Sequence, residues 1–583
     1  MLATCEASAS AGNGGAEQVF SLSSLDNGSF AESAGTCVPW WSLRGDGVRI
    51  ENGSLQTPDG ASARQPIAAY APLARGLVLR GRVEGTGELV LRAGDGRSAR
   101  VPLSSGGGEP RAFELGGAEL ERIAGGTLVP RFELELRGGP GGARWSALEA
   151  FVPLPCPDEA ALEAEVAALV RGIAVEWLDR AVDRRDARGT ALLPHEFDAV
   201  TGARISSAPA GFHPLFQWLL RACACSPDPL LEAALDRYAE DYLALCLHPE
   251  TGLPRLRDCA AEVPLDDLPL EVAAHLRFLL DLAETGPERH REPALAAARK
   301  MGETLLARGV QPDGSIAARY RPRDGQPSTD VVPLRRLDVP AVLVRLGART
   351  GDPRGIAAGR SALAALEFTH YWSGDAHRID PGFDDDLGHY GARAVTMLQA
   401  RPEDALFRRF VVEGFLRYAD DWRDSSRCGG SVAADEVRSW ELLVQLARLE
   451  PKVAQQLPPL LRVATRAHWK GEQYGNGAWG DVTFVAFDPQ FDLAVGDLPG
   501  LPANLLKGLA LAYDDALGLR GDETRARFAA VLRSTVATYR RPHGFLSTIH
   551  EMPGHNSAIG SLRLLPGLVG MLEALSAGDP RSR

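Results

Sequence analysis

The chain has 583 residues, of which 45% are hydrophobic and 24% are charged, and its formal net charge is -13 at pH 7. This length exceeds what one hydrophobic core usually supports, so we predict two or more domains. The acidic balance argues against nucleic acid as a partner, because phosphate binding needs a basic surface. No run reaches about 18 apolar residues, so no transmembrane segment is expected.

Residues 1–17 are small and polar, which predicts a disordered tail. The tail lacks the basic start and apolar run of a signal peptide. Leu2-Ala3-Thr4-Cys5 nevertheless resembles the end of a lipoprotein signal. We therefore predict a secreted or periplasmic protein, with lipid anchoring through Cys5 as a further hypothesis, and a cytoplasmic location stays open.

Two pairs of cysteines are candidates for disulfides. Cys37 and Cys156 lie near the two ends of the first predicted domain, and Cys246 and Cys259 flank a short loop. Either bridge would indicate an oxidising compartment. No paired CxxC pattern is present, so the cysteines do not predict a metal site.

Residues 18–155 predict an all-β domain, because short β-rich runs alternate with glycine-rich turns such as the one at 138–142. Asp26-Asn27-Gly28-Ser29-Phe30, followed by Trp40 and Trp41, resembles the opening of galactose-binding-like jelly rolls. The resemblance implies a β-sandwich that could bind carbohydrate. Either tryptophan could stack on a sugar ring or fill the sandwich core.

Residues 156–583 predict a helical domain, since strand patterns nearly vanish after a proline-rich break at 153–157. The predicted helices cover residues 158–186, 212–223, 229–246, 266–284, 291–308, 337–349, 353–368, 388–399, 404–420, 433–448, 454–469, 502–516, 522–539 and 557–576. Long and short connections alternate, and in helical hairpins every second connection emerges on the same face. We therefore predict a multidomain β + α protein, in which the sandwich is followed by an (α/α)6 or (α/α)7 toroid. An open α-solenoid is the alternative.

The connection ahead of residue 393 is the richest in chemistry. Asp384, Asp385 and Asp386 stand just before a predicted helix, where one or two of them could serve as ordinary N-terminal caps. Crowding of three carboxylates could raise the pKa of one, which suits a general acid. The other candidate residues of this stretch are Trp372, Arg378, His389 and Tyr390.

The connection at 470–501 carries a glycine-rich turn that would let the backbone approach a ligand closely. Trp479 is a candidate for stacking on a sugar, and Tyr474, Asn476 and Asp481 are candidates for contacting hydroxyl groups. The alternative is a plain turn with a tryptophan packed on the rim.

Further candidates lie at three other connections. His550, Glu551 and His555 share a proline- and glycine-containing loop, but their spacing is not that of a zinc motif, and we predict no metal and no cofactor. Glu436 stands at a predicted helix start as a second carboxylate, and His213 lies near the first long connection.

Loop arginines raise the question of an acidic substrate. Arg255, Arg257, Arg319, Arg321 and Arg378 all fall on long connections. Arginine binds carboxylates through two parallel hydrogen bonds, so a uronic acid could be recognised there.

A β-sandwich followed by an (α/α) toroid resembles glycoside hydrolases and polysaccharide lyases at the level of architecture, without a specific family signature. The resemblance implies a carbohydrate-active enzyme with an oligo- or polysaccharide as its partner. A hydrolase would use an acid within Asp384–Asp386 and a second carboxylate at Glu436, Asp481 or Glu551.

A uronate lyase acting by β-elimination is the first alternative, with Tyr390 or Tyr474 as base. A non-catalytic glycan-binding or scaffold protein is the second alternative, and it would need no acid/base pair. Carboxylates outnumber the other candidate groups on these connections, which favours the hydrolase.

Overall fold

A computed structural model provides the coordinates of the protein. The structure describes residues 19–23, 28–30, 41–68, 78–93, 98–106, 108–116, 131–181, 192–194, 210–258, 263–311, 315–328, 337–366, 392–412, 506–507, 509–511, 513, 520–539 and 558–577. Among the helices of these residues, none is long and apolar enough to cross a membrane.

The described residues of the N-terminal part form strands and turns, and the strands make one nine-stranded antiparallel sheet. The strands are β1 (Val19–Ser23), β2 (Ser42–Arg44), β3 (Arg49–Glu51), β4 (Ser54–Thr57), β5 (Ser62–Ala68), β6 (Val78–Ala93), β7 (Ser98–Ser104), β8 (Arg111–Leu115) and β9 (Arg131–Pro155). Strand β9 is the centre of the sheet, because β1, β4, β5 and β6 all pair with it. The arrangement of these strands as a two-layer jelly roll stays a prediction.

The predicted turn at 138–142 is wrong, because these residues continue strand β9. Gly141 and Gly142 have backbone φ angles of +84° and +81°, which residues other than glycine rarely adopt. A Cβ atom on Gly138 would lie 2.2 Å from the carbonyl oxygen of Thr57. The glycines therefore bend one long strand and let strand β4 approach it, where the sequence pattern predicted two strands.

The core of the sheet is built from residues of β6 and β9, including Trp145, and from the aromatic side chains of Trp41 and Phe30. Trp145 is fully buried, and its indole N–H donates to the hydroxyl of Thr57 at 2.9 Å. Trp41 is 5% exposed and its ring lies 5.7 Å from that of Phe30. Trp41 therefore fills the core and presents no ring to a sugar, and Trp40 lies outside the described residues.

The helices are α1 (Glu159–Ala181), α2 (Pro214–Cys225), α3 (Pro229–Leu245), α4 (Ala273–Thr285), α5 (Glu288–Arg308), α6 (Asp338–Thr350), α7 (Pro353–Leu366), α8 (Ala392–Ala400), α9 (Asp522–Tyr539) and α10 (Ala558–Ala577). A further helix spans 405–412. Most predicted bounds differ from these by a few residues. The predicted helix at 266–284 begins only at Ala273, because Leu270 pairs with Tyr320 in a short strand instead. The predicted helices at 433–448 and 454–469 lie outside the described residues.

Short turns join the helices into hairpins, and proline and aspartate explain where some of the helices begin. Asp228 accepts hydrogen bonds from the N–H groups of Leu230 and Leu231 and caps α3, whose first residue is Pro229. Gly351 ends α6 with a φ of +76°, and Asp352 accepts a bond from the next turn. The turns lie where the sequence predicts them.

The hairpins form two layers. Helices α2, α4, α6 and α8 pack side by side as an inner layer, and α3, α5 and α7 form the layer behind them. The last helix, α10, packs against α1 and α2, the first helices of the domain. This contact is what an (α/α) toroid requires, and it distinguishes the fold from an open solenoid, whose ends lie apart.

The β-sheet contacts the ring through α9, which packs against β1 and β9. The Nε of Arg525 donates to the carbonyl of Pro157 at 2.7 Å, and its Nη2 lies 3.3 Å from the Cys156 sulfur. The Cys156 thiol is free, so the bridge predicted to Cys37 is not formed. Cys246 is buried at the end of α3, and its predicted partner Cys259 lies outside the described residues.

Candidate functional site

One end of the ring gathers the described parts of the long connections. Strands β10 (Leu193–Pro194), β11 (Ala210–Gly211), β12 (Leu256–Asp258) and β13 (Val263–Leu265) pair in this order, and β14 (Leu270–Glu271) pairs with β15 (Arg319–Tyr320). Connections from three different hairpins thus touch one another. We call this end, at which the inner helices begin, the loop face.

Most residues predicted for the site lie outside the described residues: Asp384, Asp385, Asp386, Glu436, Asp481, Tyr390, His389, Tyr474, Asn476, Trp479, Arg378, His550, Glu551, His555 and Trp372. Two of the helices that follow them are described. Segment 367–391 precedes α8, and segment 540–557 precedes α10. Helix α8 belongs to the inner layer, and α10 packs against the inner helix α2.

His213, predicted to bind substrate, is 1% exposed at the start of α2. Its Nδ1 accepts from the N–H of Leu215 at 3.3 Å, and its ring lies 4.3 Å from that of Trp177. The buried ring offers no surface to a ligand in this structure. Helix capping is the role that the geometry supports.

Two tyrosines of α3, one helical turn apart, hold the starts of two inner helices. The hydroxyl of Tyr238 accepts from the backbone N–H of His213 at 2.8 Å and donates to the carbonyl of Gly211 at 3.2 Å. The hydroxyl of Tyr242 lies 2.7 Å from Nδ1 of His275, in the first turn of α4. Burial raises the pKa of both phenols well above the ordinary value, so both stay protonated.

The loop arginines are already engaged with the protein. Arg255 donates to the carbonyl of Leu245 at 2.9 Å and faces Asp266, while Arg319 donates to Glu271 at 3.1 Å. Arg321 forms two bonds with Asp324, and Arg257 is buried. These four side chains support the loops themselves, so their presence does not favour an acidic substrate.

Polar side chains join each pair of neighbouring inner helices, and we call this set the inner belt. Its members are Gln217, Arg221, Asp281, Glu284, Asp338, Arg345, Arg393 and Glu573. Helix α4 has α2 and α6 beside it and α5 behind it. The partly exposed Asp281 and Glu284 lie three residues apart on α4 and face its neighbours α2 and α6.

The belt connects five helices in turn. Arg345 of α6 donates through Nη1 to Asp281 and through Nη2 to Glu284, both at 2.6 Å. Burial opposes the charge of Arg345, but the two carboxylates outweigh it and raise the pKa of the guanidinium. Gln217 of α2 reaches Asp281 by a long hydrogen bond of 3.5 Å.

The two ends of the belt are ion pairs. Arg221 joins α2 to Glu573 of α10, and Arg393 of α8 donates through Nε to Asp338 of α6 at 2.5 Å. Asp338 and Arg393 stand in the first turns of their helices, so this pair lies at the loop face. The other members, except Gln217, lie in the second halves of their helices, nearer the short turns.

Sequence reasoning missed His275, Tyr242 and Asp338, and it assigned no role to Arg393. The sequence does give a signal for His275, which has apolar residues on both sides in AAHLRFLL, and for Tyr242, which follows Tyr238 at helical spacing. Asp338 and Arg393 had none, because 55 residues separate them. Within the described part of the chain, no group of three or more His, Cys, Asp or Glu could hold a metal ion.

Comparison with known proteins returned structural likenesses only. No family model matches the sequence, and no curated protein is significantly similar to it. The cellobiose 2-epimerase of Spirochaeta thermophila is 14% identical at a TM-score of 0.40, with 72% of this chain and 98% of that chain covered. A family 76 glycoside hydrolase from a bovine Bacteroides thetaiotaomicron strain is 9% identical at a TM-score of 0.34, with 89% and 97% covered.

An unsaturated glucuronyl hydrolase specific for heparin is 9% identical at a TM-score of 0.37, with 71% of this chain and 98% of that chain covered. All three are carbohydrate-active enzymes. With TM-scores below 0.5, these likenesses assign no reaction to this chain.

Proposed function

We propose that the chain is a carbohydrate-active enzyme that cleaves glycosidic bonds of an oligo- or polysaccharide at the loop face. The packing of α10 against α1 and α2 carries this proposal. It brings the last helix of the domain beside the first ones, which supports a closed ring in which candidate residues far apart in the sequence would meet at one end. A cleft lined by several loops on a rigid scaffold is where catalytic residues usually concentrate.

The proposed chemistry is hydrolysis by paired carboxylates. One protonated carboxyl among Asp384, Asp385 and Asp386 donates to the leaving oxygen. A second carboxylate, at Glu436, Asp481 or Glu551, activates water or attacks the anomeric carbon. The abundance of carboxylates on the connections that enter the loop face supports this assignment.

The roles of the β domain and the location of the protein are further parts of the proposal. We propose that the sheet adopts a jelly-roll-like sandwich beside the catalytic ring. Its buried Trp41 gives no support for sugar stacking at that position. A location outside the cytoplasm stays a prediction, and the free thiol of Cys156 removes one of its supports.

The test is turnover of neutral and uronic-acid-containing oligosaccharides, with new reducing ends and ultraviolet absorbance followed together. New reducing ends without absorbance of an unsaturated product support hydrolysis, whereas the absorbance indicates elimination. Removing the catalytic carboxylate by Asp→Asn or Glu→Gln at these six positions, one at a time, is expected to lower kcat by about a hundredfold or more at two of them.

The matched control is Glu403→Gln, which neutralises a half-exposed carboxylate in a short turn at the opposite end of the ring. This variant is expected to keep wild-type kcat. Wild-type binding of oligosaccharides without any turnover would contradict the proposal and favour a non-catalytic glycan-binding protein.

A further inference from the structure

Arg393 differs from the other two arginines of the inner belt in how its guanidinium is used. Arg345 donates through both η nitrogens, to Asp281 and Glu284. Arg221 donates through Nε and Nη2 to both oxygens of Glu573. Arg393 donates through Nε alone, and its Nη1 and Nη2 have no hydrogen-bond partner among the described residues.

The side chain of Arg393 is partly exposed at the loop face. Its side chain is 23% exposed, whereas that of its partner Asp338 is 15% exposed. Asp338 fixes the plane of the guanidinium by holding Nε from the neighbouring helix. The two η nitrogens thus form a preorganised pair of parallel donors at the end of the ring where the candidate loops enter.

The geometry of these donors selects a class of ligand. Two parallel N–H groups match the two oxygens of a carboxylate, whereas a sugar hydroxyl presents one oxygen. Because Asp338 already balances the charge of Arg393, attraction by charge alone is weak and the pairing depends on the fork geometry. A lysine would keep the charge and lose that geometry.

We propose that Arg393 binds the carboxylate of a uronic-acid-containing saccharide at the loop face, with Asp338 as the positioning residue. This rests on the proposed function and names its substrate class. Four of the five loop arginines identified from the sequence are engaged with the protein, and Arg378 lies outside the described residues. We therefore assign the carboxylate-binding role to a residue of an inner helix.

The experiment measures binding of matched disaccharides by titration calorimetry, using the gluco, galacto and manno series. Each neutral disaccharide is compared with the one in which a uronic acid replaces its terminal hexose. The wild type is expected to prefer the acidic member in at least one series. Arg393→Lys is expected to lower affinity for that member by about tenfold or more and leave affinity for the neutral one unchanged.

Two further variants separate binding from folding. Arg345→Lys weakens an ion pair of the same belt whose η nitrogens are both used, and it should leave the acidic-to-neutral ratio unchanged. Asp338→Asn keeps an oxygen acceptor for Nε but removes the balancing charge, so affinity for the acidic disaccharide should rise. A purely structural ion pair would not produce that gain, which keeps the proposal testable if Arg393→Lys does not fold.

The outcomes distinguish this inference from the proposed function. Turnover of oligosaccharides with an acidic-to-neutral ratio that Arg393→Lys leaves unchanged overturns the inference and retains the enzyme. Arg393-dependent binding of uronic disaccharides without turnover supports the inference and overturns the enzyme. Equal affinity of the wild type for acidic and neutral members in all three series overturns the inference.

Discussion

The guanidinium of Arg221 and the carboxylate of Glu573 form two parallel hydrogen bonds, of 2.8 and 2.7 Å, although 352 residues separate them in the chain. They join the inner helix α2 to the last helix, α10. Nearby, the hydroxyl of Ser576 donates to the carbonyl of Cys225 at 3.2 Å. The junction between the beginning and the end of the helical domain is therefore held by specific polar contacts as well as by packing.

Replacing Glu573 by glutamine should loosen this junction. Both side chains are about one-third exposed, so solvent screening limits the pair to about 0.5–1 kcal/mol. Opening of α10 should then become about two- to fivefold more frequent. Hydrogen–deuterium exchange of the amides in α10 measures this directly.

Arg289→Gln is the matched control, because Arg289 makes an equally close two-bond pair with Asp236 between the outer helices α5 and α3. It should leave exchange in α10 unchanged. Equal acceleration in both variants would show that exchange reports general destabilisation and that Arg221 and Glu573 do not hold the junction.

Gly355 allows α6 and α7 to approach each other closely. A Cβ atom at this position would lie 2.3 Å from the carbonyl oxygen of Leu343, which is backbone and cannot move aside easily. Gly355→Ala should therefore lower the free energy of unfolding by about 1–3 kcal/mol. This loss is larger than the stabilisation that the higher helix propensity of alanine provides. Thermal unfolding followed by circular dichroism checks the direction.

Gly172→Ala is the control for helix propensity. Gly172 lies inside α1, and an added Cβ would meet nothing within 4 Å. This substitution should stabilise the protein by up to about 1 kcal/mol. Gly355→Ala is thus expected to lower the midpoint temperature of thermal unfolding and Gly172→Ala to raise it. A shift of both in the same direction would contradict the packing argument.

Local rules predicted the hairpins well, because their signals lie within a few residues. The Asp228-Pro229 cap and the turn at Gly351 and Asp352 could be located from the sequence alone. The start of α4 could not, since residues before Ala273 are taken into a strand by pairing with a segment 50 residues away, at Leu270 and Tyr320. A helical pattern gives no information about such a competing partner.

In the candidate site, too, some features follow from nearby residues and others depend on distant pairing. The position of the long connections follows from the alternation of hairpins, and the described strands of the loop face agree with it. The pairing of Arg393 with Asp338 depends on which inner helices become neighbours. Sequence spacing does not contain that information, because it arises only when the ring is assembled.

Tyr242→Phe should destabilise the protein by about 0.5–1.5 kcal/mol, because it removes the buried hydrogen bond of 2.7 Å between the Tyr242 hydroxyl and Nδ1 of His275. The ring itself stays in place, so no cavity forms. Urea unfolding of the wild type and the variant gives the difference.

Tyr320→Phe provides the comparison, because the buried hydroxyl of Tyr320 has no hydrogen-bond partner among the described residues. Removing it should be neutral or slightly stabilising, since no bond is lost and a buried polar group disappears. If both substitutions lower the free energy of unfolding equally, the hydrogen bond between Tyr242 and His275 makes no specific contribution to stability.

Acid should weaken the β-sheet through Glu135. Burial opposes the charge of this carboxylate, but the bond from Ser62 and the charges of Arg64 and Arg137 outweigh it and hold the pKa below the ordinary value of 4.5. A group with a lowered folded pKa stabilises the protein above its unfolded pKa, and this contribution disappears as pH falls through the folded pKa. Thermal unfolding from about pH 6 to about pH 3 should therefore show a loss of stability that Glu135→Gln reduces. Glu149→Gln, on the same strand and half exposed, should leave the pH dependence as in the wild type, and an equal effect of both glutamines would contradict the assignment to Glu135.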